Sequence, residues 1–446
     1  MKRILFGLGV LAAVGCGDDE VVHAGAGGSA GAGGSAAGAA GFGGSAGSSA
    51  GNGGSAGAAG SAGAAGSAGA AGSAGAAGSA GAVGSEPRVF VSATDFGSAT
   101  EIVSVKLDGT VTQRLNLSDS DAVTVVDAGQ AFVLERVADK LHILGEDGES
   151  LSVIDLSTAV SGAPSQNPHG VVVVPGSAPR SAYVPLYASN HMALVDLEAG
   201  SVTNTVDFSG YQDSADTDGG SEPDYAWFDS ARNRVWFTLA RIDISSIVAP
   251  DYQLACTSKG LLMAIDATSG EIVDLNGAAP GAGFELTNVA PTSVHYAVET
   301  DTLYLLSSGC FEDKGSGLTR RSHGVEAIKL DSMTSSVVLS PPADAFYARL
   351  LWTPSGALIQ SFVGFTEQWH RWNPTETLLG ELVAFMPSSV AHDDQGNIYG
   401  LEEDSSGGGT KITLVQVAAD TGARSVIAED PFTSGLPFIS GSAYRP

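Results

Sequence analysis

Seven times along residues 86–446 the chain repeats one phrase: a short apolar run, a turn carrying Asp or Asn, then a second apolar run. Ile265-Asp266-Ala267-Thr268-Ser269-Gly270-Glu271-Ile272 shows it in full. Val195-Asp196 through Gly200-Ser201-Val202 repeats it, as does Val417 through Asp420-Thr421-Gly422. Weaker copies surround Asp108-Gly109, Asp147-Gly148, Asp331 and Asn373. Asp suits such a turn because its carboxylate accepts hydrogen bonds from the backbone just ahead, and Gly suits it because it accepts positive φ. The turns centre on residues 108, 147, 196, 266, 331, 373 and 420, so successive intervals are 39, 49, 70, 65, 42 and 47 residues. A period of about 40–50 residues with several short strands per repeat predicts a β-propeller. The two long intervals read as ordinary blades carrying insertions. No long helical period interrupts the Val/Ile/Leu/Phe/Tyr runs, so the class is all-β with seven blades.

A second marker agrees. Innermost strands are expected to begin after a proline, at Pro168-His169-Gly170-Val171, Pro223-Asp224-Tyr225-Ala226, Pro291-Thr292-Ser293-Val294 and Pro387-Ser388-Ser389-Val390. The C-terminal Pro437-Phe438-Ile439-Ser440 fits the same slot, although no blade follows it. The domain meanwhile opens at Pro87-Arg88-Val89-Phe90-Val91, which reads as a second strand lacking its first. The simplest account is that the C-terminal segment supplies the missing inner strand of blade one, which removes the open sheet edges. The Ile-Asp-x-x-x-Gly-x-Ile units and Pro-x-x-Val starts resemble the YVTN/NHL/quinoprotein-like group of seven-bladed propellers over about 360 residues. That resemblance implies a fold and not an activity, because propellers host many unrelated functions.

The N-terminal segment differs in every respect. Met1-Lys2-Arg3 precedes the apolar run of residues 4–15, and Cys16 follows it. Twelve residues are too few to span a bilayer as a helix, so the run reads as an export signal. Ala13-Val14-Gly15-Cys16 resembles the lipobox of bacterial lipoproteins. The resemblance implies a signal peptide over 1–15, a lipidated Cys16, and attachment to the membrane through that lipid. Gly17, in place of the Asp that retains some lipoproteins in the inner membrane, points to the outer membrane. Residues 16–85 then form a tether, with 24–85 almost wholly Gly, Ala and Ser and Gly at every third position from Gly54 to Gly84. Collagen shares this period, but the stretch has no proline to pre-set its geometry. A flexible linker of about 60 such residues spans roughly 40–50 Å.

The chain carries 21 basic and 49 acidic residues, a formal net charge of −28. Such a surface repels phosphate backbones and anionic headgroups, which argues against nucleic acid as a partner, and it favours cations or basic partners. With Cys16 assigned to lipid, Cys256 and Cys310 remain, and an even pair in an exported protein reads as a disulfide, the alternative being two buried thiols.

In a propeller, the connections between blades share one face with the loops joining each blade's second and third strands. The long segments 208–222, 240–258 and 308–323 belong to that class and fall in blades three to five, with Cys256 and Cys310 in two of them. Long loops on one sector are where binding is expected. Asp213, Asp216, Asp218 and Glu222 crowd one of these loops in the way hard-oxygen calcium ligands do, the alternative being a solvated acidic connector. His169 and Asp224 take equivalent inner-strand starts and are ligand-binding candidates, with His295 and His392 further along the same strands. Arg320, Arg321 and His323 form a compact basic cluster suited to a carboxylated ligand or to pairing within the protein. Phe365, Trp369 and Trp372 either stack on sugars or pack in the core.

No nucleophile elbow, phosphate loop or C-x-x-C motif occurs in the sequence. Residues Ala264 to Gly270 partly resemble a quinoprotein docking motif but lack its tryptophan, which argues against quinone chemistry. Three readings follow. The leading one is a lipid-anchored, non-enzymatic binding protein for a protein or glycan. A metal-dependent propeller enzyme, such as a lactonase or lyase, is the second, with His169 and Asp224 as its candidates. A structural envelope protein is the third.

Overall fold

The computed structural model describes residues 86–446, leaving out positions 96, 344 and 394 and the segments 214–218, 244–254, 256–257, 278–281, 314–317, 364–365, 384–385, 405–410 and 435–437. The signal and tether, residues 1–85, lie outside the described residues.

The described strands form seven four-stranded antiparallel sheets and one two-stranded hairpin. Each sheet is a blade. The inner strands of blades two to seven are Ala122–Asp127, Val172–Val174, Pro223–Asp229, Pro291–Ala297, Ala345–Thr353 and Ser388–His392. Blade one takes its inner strand, Phe438–Arg445, from the C-terminus and pairs it with Arg88–Thr94 from the start of the domain. Both ends of the domain therefore sit in one sheet, as the orphan second strand at Pro87 implied.

All seven Asp or Asn turns fall at one place in the blade, between the third and fourth strands. Asp196 Oδ1 accepts the backbone N–H groups of Glu198 and Ala199 at 2.9 and 2.8 Å, and Asp266 Oδ1 those of Thr268 and Ser269 at 3.0 and 2.8 Å. At Asp266 the Ser269 and Thr268 amides hold the carboxylate below its ordinary range. At Gly109 the turn has φ of 89°, and a Cβ there would meet the Ile427 carbonyl oxygen of blade seven at 2.3 Å. Glycine is required by the turn and by the neighbouring blade together.

The core is seven cores. Alternate residues of a strand point to opposite faces, so each blade feeds two interfaces. In the second strand of blade two, Phe132 and Leu134 pack against blade three, while Ala131 and Val133 pack against blade one. Val89 and Val91 face blade seven and Phe90 faces blade two. The remaining clusters join blades three and four, four and five, five and six, and six and seven. This arrangement leaves the inner strands around a central channel and the two sets of loops on opposite faces.

Candidate functional site

The inner-strand starts bring ionisable side chains from consecutive blades to the channel mouth. His169 precedes the inner strand of blade three and is held by its backbone N–H, which donates to the Pro185 carbonyl at 3.0 Å. Its Nδ1 lies 3.2 Å from Asp224 Oδ1, at the start of blade four, and its ring stacks on Tyr187 with centroids 4.1 Å apart and planes 15° apart. The two residues nominated from sequence therefore touch. A carboxylate only accepts, so Nδ1 carries the proton and Nε2 the lone pair. Burial and the Arg136 guanidinium push the imidazole pKa below its ordinary value, against the opposite pull of Asp224. The ring is consequently neutral at pH 7, and its Nε2 makes no hydrogen bond among the described residues. An oriented, neutral imidazole of this kind accepts a hydrogen bond or a proton.

Two members of this cluster escaped the sequence reading. Arg136, in the turn after the second strand of blade two, is 2 % exposed, and its Nη1 lies 3.8 Å from Asp121 Oδ1. Asp121 stands directly before the inner strand Ala122–Asp127, and its carbonyl accepts the Arg136 N–H as those of Asn167 and Glu222 accept Tyr187 and Ala240 in the next two blades, one residue ahead of the prolines there. No proline marks that slot in blade two, so the one available signal was missing.

Much of the acidity on this face is structural. Asp119 Oδ2 accepts the N–H groups of Val137 and Ala138, and Asp139 Oδ1 those of Gln166 and Asn167. Glu326 accepts from Thr287 and Asn288, and Glu101 from Thr433 and Ser434. These buried carboxylates clip one loop to the next across blade boundaries. The acidic connector behaves alike where it is described. Asp213 Oδ2 accepts from Arg241 Nη2 at 2.7 Å, and Glu222 Oε2 accepts the Ile242 N–H at 2.8 Å. The other two calcium candidates, Asp216 and Asp218, lie outside the described residues.

The insertions of blades four and five meet. Ala255 forms a parallel bridge with Phe311, and Cys310–Asp313 pairs with Leu318–Arg321 as a hairpin. Gly309 enters this hairpin at φ of 79°, where a Cβ would strike the Arg321 carbonyl oxygen at 2.3 Å. Cys310 is fully buried beside Val289, Ala290 and Ile242. Cys256 lies outside the described residues, although its neighbour Ala255 is bridged to the residue following Cys310.

The basic cluster is engaged within blades five and six. The Arg320 guanidinium lies 4.4 Å from the ring centroids of both Phe311 and Phe346, and burial lowers its pKa to about 10. Arg321 Nε donates to Glu312 across the hairpin at 3.1 Å. Burial, then Arg320 and Arg321, push His323 down to about 4. The charges pair locally, and the acidic connector has Arg241 as its described cation. Trp369 and Trp372 are each 3 % exposed and belong to the cores of blade six, so neither offers a face to a sugar. Phe365 lies outside the described residues.

No protein-family model matches the chain, and no curated protein matches it. Among solved structures, it is similar to a putative 6-phosphogluconolactonase from Bacteroides uniformis, with 13% identity, 81% of this chain and 99% of that chain covered, and a TM-score of 0.47. It is also similar to TolB from Acinetobacter baumannii, with 10% identity, 81% and 67% covered, and a TM-score of 0.39. Likeness at this level carries no argument about activity, and the propeller assignment rests on the strand order itself.

Proposed function

We propose that this protein is a lipid-anchored cell-envelope binding protein, tethered through Cys16 and presenting the face of blades three to five to a protein or glycan. The observation that carries the reading is the bridge between Ala255 and Phe311. It joins the insertions of two blades at one junction, a rim that nothing in the packing of seven blades requires. A Cys256–Cys310 disulfide would lock the same junction. The bridge and the buried setting of Cys310 support this pairing, and long loops held in place lose less entropy on binding. The tether gives the rim reach from the membrane.

The test uses the full-length protein. Wild type should fractionate with membranes, and Cys16→Ser should release it. Wild type immobilised through its C-terminus should retain material from envelope extracts, and Glu312→Arg in the rim should abolish retention. Pretreatment of the extract with protease or with glycosidases then assigns the ligand to protein or glycan. Retention unchanged in the Glu312→Arg variant would overturn the reading.

A second reading, small-molecule turnover at the mouth, is favoured by the contact between His169 and Asp224. It predicts hydrolysis of ester or lactone substrates that is lost in His169→Phe while membrane fractionation is unchanged. Activity that persists in His169→Phe would remove it.

A further inference from the structure

Blade two holds a separate set of reactive side chains on its outer strands. Glu135 ends the second strand Gln130–Glu135, His142 lies in the third strand Lys140–Leu144, and Ser150 opens the fourth strand Ser150–Asp155. Leu141 and Ile143 pack toward blade three, while Val133 and Leu144 pack toward blade one. His142 pairs with Val133 and Ser150 with Leu144, so Glu135, His142 and Ser150 share the face turned to blade one. The register slips between Ile143 and Leu144. Leu151 is therefore the extra residue of a bulge, and Ser150 takes the place opposite Leu144.

The three side chains are bonded in series. His142 Nε2 lies 2.7 Å from Glu135 Oε1, and His142 Nδ1 lies 3.0 Å from Ser150 Oγ. A carboxylate only accepts, so Nε2 carries the proton and Nδ1 offers its lone pair to the serine hydroxyl. Both ring nitrogens are thereby paired, whereas the buried Nδ1 of His295 has no hydrogen-bond partner. The His142 hydrogen bond lowers the Glu135 pKa against the pull of burial, and Lys140, with Nζ 3.8 Å from Oε1, adds to it. Glu135 and His142 are buried, and Ser150 is exposed. Packing does not require this set. In blade three the same three register positions hold Leu186, Ala193 and Val202, which pack in the core between blades two and three.

We propose that Ser150 is a nucleophile that takes apolar acyl groups from esters, with His142 as its base and Glu135 as the positioning residue. Such a site needs a nucleophile, a base in hydrogen-bond reach and a third group that orients the base. The Oγ proton passes to Nδ1 as Oγ bonds to the ester carbonyl carbon. The C–O bond to the alcohol then breaks, and the leaving oxygen takes the proton from Nδ1. Water repeats the sequence on the acyl-serine, releases the carboxylic acid and restores the Ser150 hydroxyl. Leu151, next to Ser150, and Val153, paired with His142, are 63 % and 48 % exposed and offer apolar surface to the acyl chain. The net charge of −28 favours a neutral substrate over an anionic one. Ser150 is on the outermost strand of blade two and His169 precedes the inner strand of blade three, so this site stands independently of the mouth and of the rim.

The test treats the full-length protein with an alkyl fluorophosphonate and locates the adduct by mass on the peptide carrying Ser150. Wild type should label at this serine, at a rate that saturates in probe. Ser150→Ala changes an exposed position and should keep the fold while losing the adduct. His142→Ala should slow labelling by more than about 100-fold. Glu135→Leu combined with His142→Ala copies blade three at both buried positions, so it should fold and fail to label. Glu135→Gln should lower the maximal labelling rate by more than about tenfold and leave the half-saturating probe concentration unchanged, a split that a merely structural role would not give. p-Nitrophenyl butyrate should acylate the same serine faster than the ester of a charged acid, and equal rates would overturn the apolar assignment. Wild-type labelling no faster than that of the unfolded chain would overturn the proposal. So would an adduct that persists in Ser150→Ala, by placing the nucleophile elsewhere.

Discussion

The two faces of the propeller are built from different kinds of loop. On one, all seven turns between third and fourth strands carry an Asp or Asn, and at Asp108, Asp196, Asp266, Asn373 and Asp420 its side chain accepts from the amides just ahead. On the other, the connections range from the few residues between Leu117 and Ala122 to the bridged insertions of blades four and five. The uniform face repeats one turn position in every blade and carries the fold. The irregular face departs from the minimum that seven blades require, and its departures coincide with the buried His169–Asp224 pair, the Arg320 stack and the buried Cys310.

The largest effect that would sharpen this contrast comes from the ring itself. Deleting 438–446 removes the inner strand of blade one and exposes the Arg88–Thr94 edge. The chain should lose cooperative unfolding or fall by more than about 10 °C in melting temperature. Near-normal melting would break the closure account. Next, Cys256→Ser with Cys310→Ser should cost about 2–4 kcal/mol if the two are bonded. Hydrogen exchange should then accelerate in 240–258 and 308–323 and remain slow in the blade strands. Uniform acceleration would mean that the rim is not separable from the fold.

Glu101 tests the loop clamps. Burial pushes its pKa up, but the hydroxyl and amide of Ser434 and those of Thr433 outweigh it, and the net direction is down from 4.5. A carboxylate lowered by folding contributes stability that is complete above its unfolded value and is lost as pH falls through the folded one. Glu101→Gln should therefore cost about 1–3 kcal/mol at pH 7 and flatten the loss of stability below about pH 4.5. The buried histidines act in a higher window. His169, His295 and His323 all titrate below their ordinary 6.5, so the unfolded chain takes up protons that the folded one refuses. Stability should begin to fall as pH drops below about 6.5, and His295→Phe should reduce that slope. The smallest effect belongs to a single turn: Asp266→Ala should lower the chemical-denaturation midpoint slightly, without changing retention of envelope material.

The same contrast explains what was legible. The turn chemistry of Asp108, Asp196 or Asp266 is local, so spacing alone located seven blades, and which two strands each turn joins came from the structure. Pro168, Pro223, Pro291 and Pro387 marked inner strands for the equally local reason that proline suits a strand's first residue. Ring closure was readable because one strand was missing at the start and one was spare at the end. The site was only half visible. His169 and Asp224 stand in marked slots, whereas Asp121 has no proline before it and Arg136 reaches the mouth from a turn. The clamps of Glu101 and Glu326, and the orphaned Nδ1 of His295, arise between blades distant in sequence, and no local pattern encodes them.

The account's central claim is that ligand is engaged by the irregular face, and site-specific photocrosslinking in intact cells tests it most directly. A crosslinker at Glu312, on the rim, should give a discrete high-mass adduct. The same group at Glu198, in an exposed turn of the uniform face, should give none. Equal adducts from both positions, or adducts from Glu198 alone, would contradict the division of labour between the two faces.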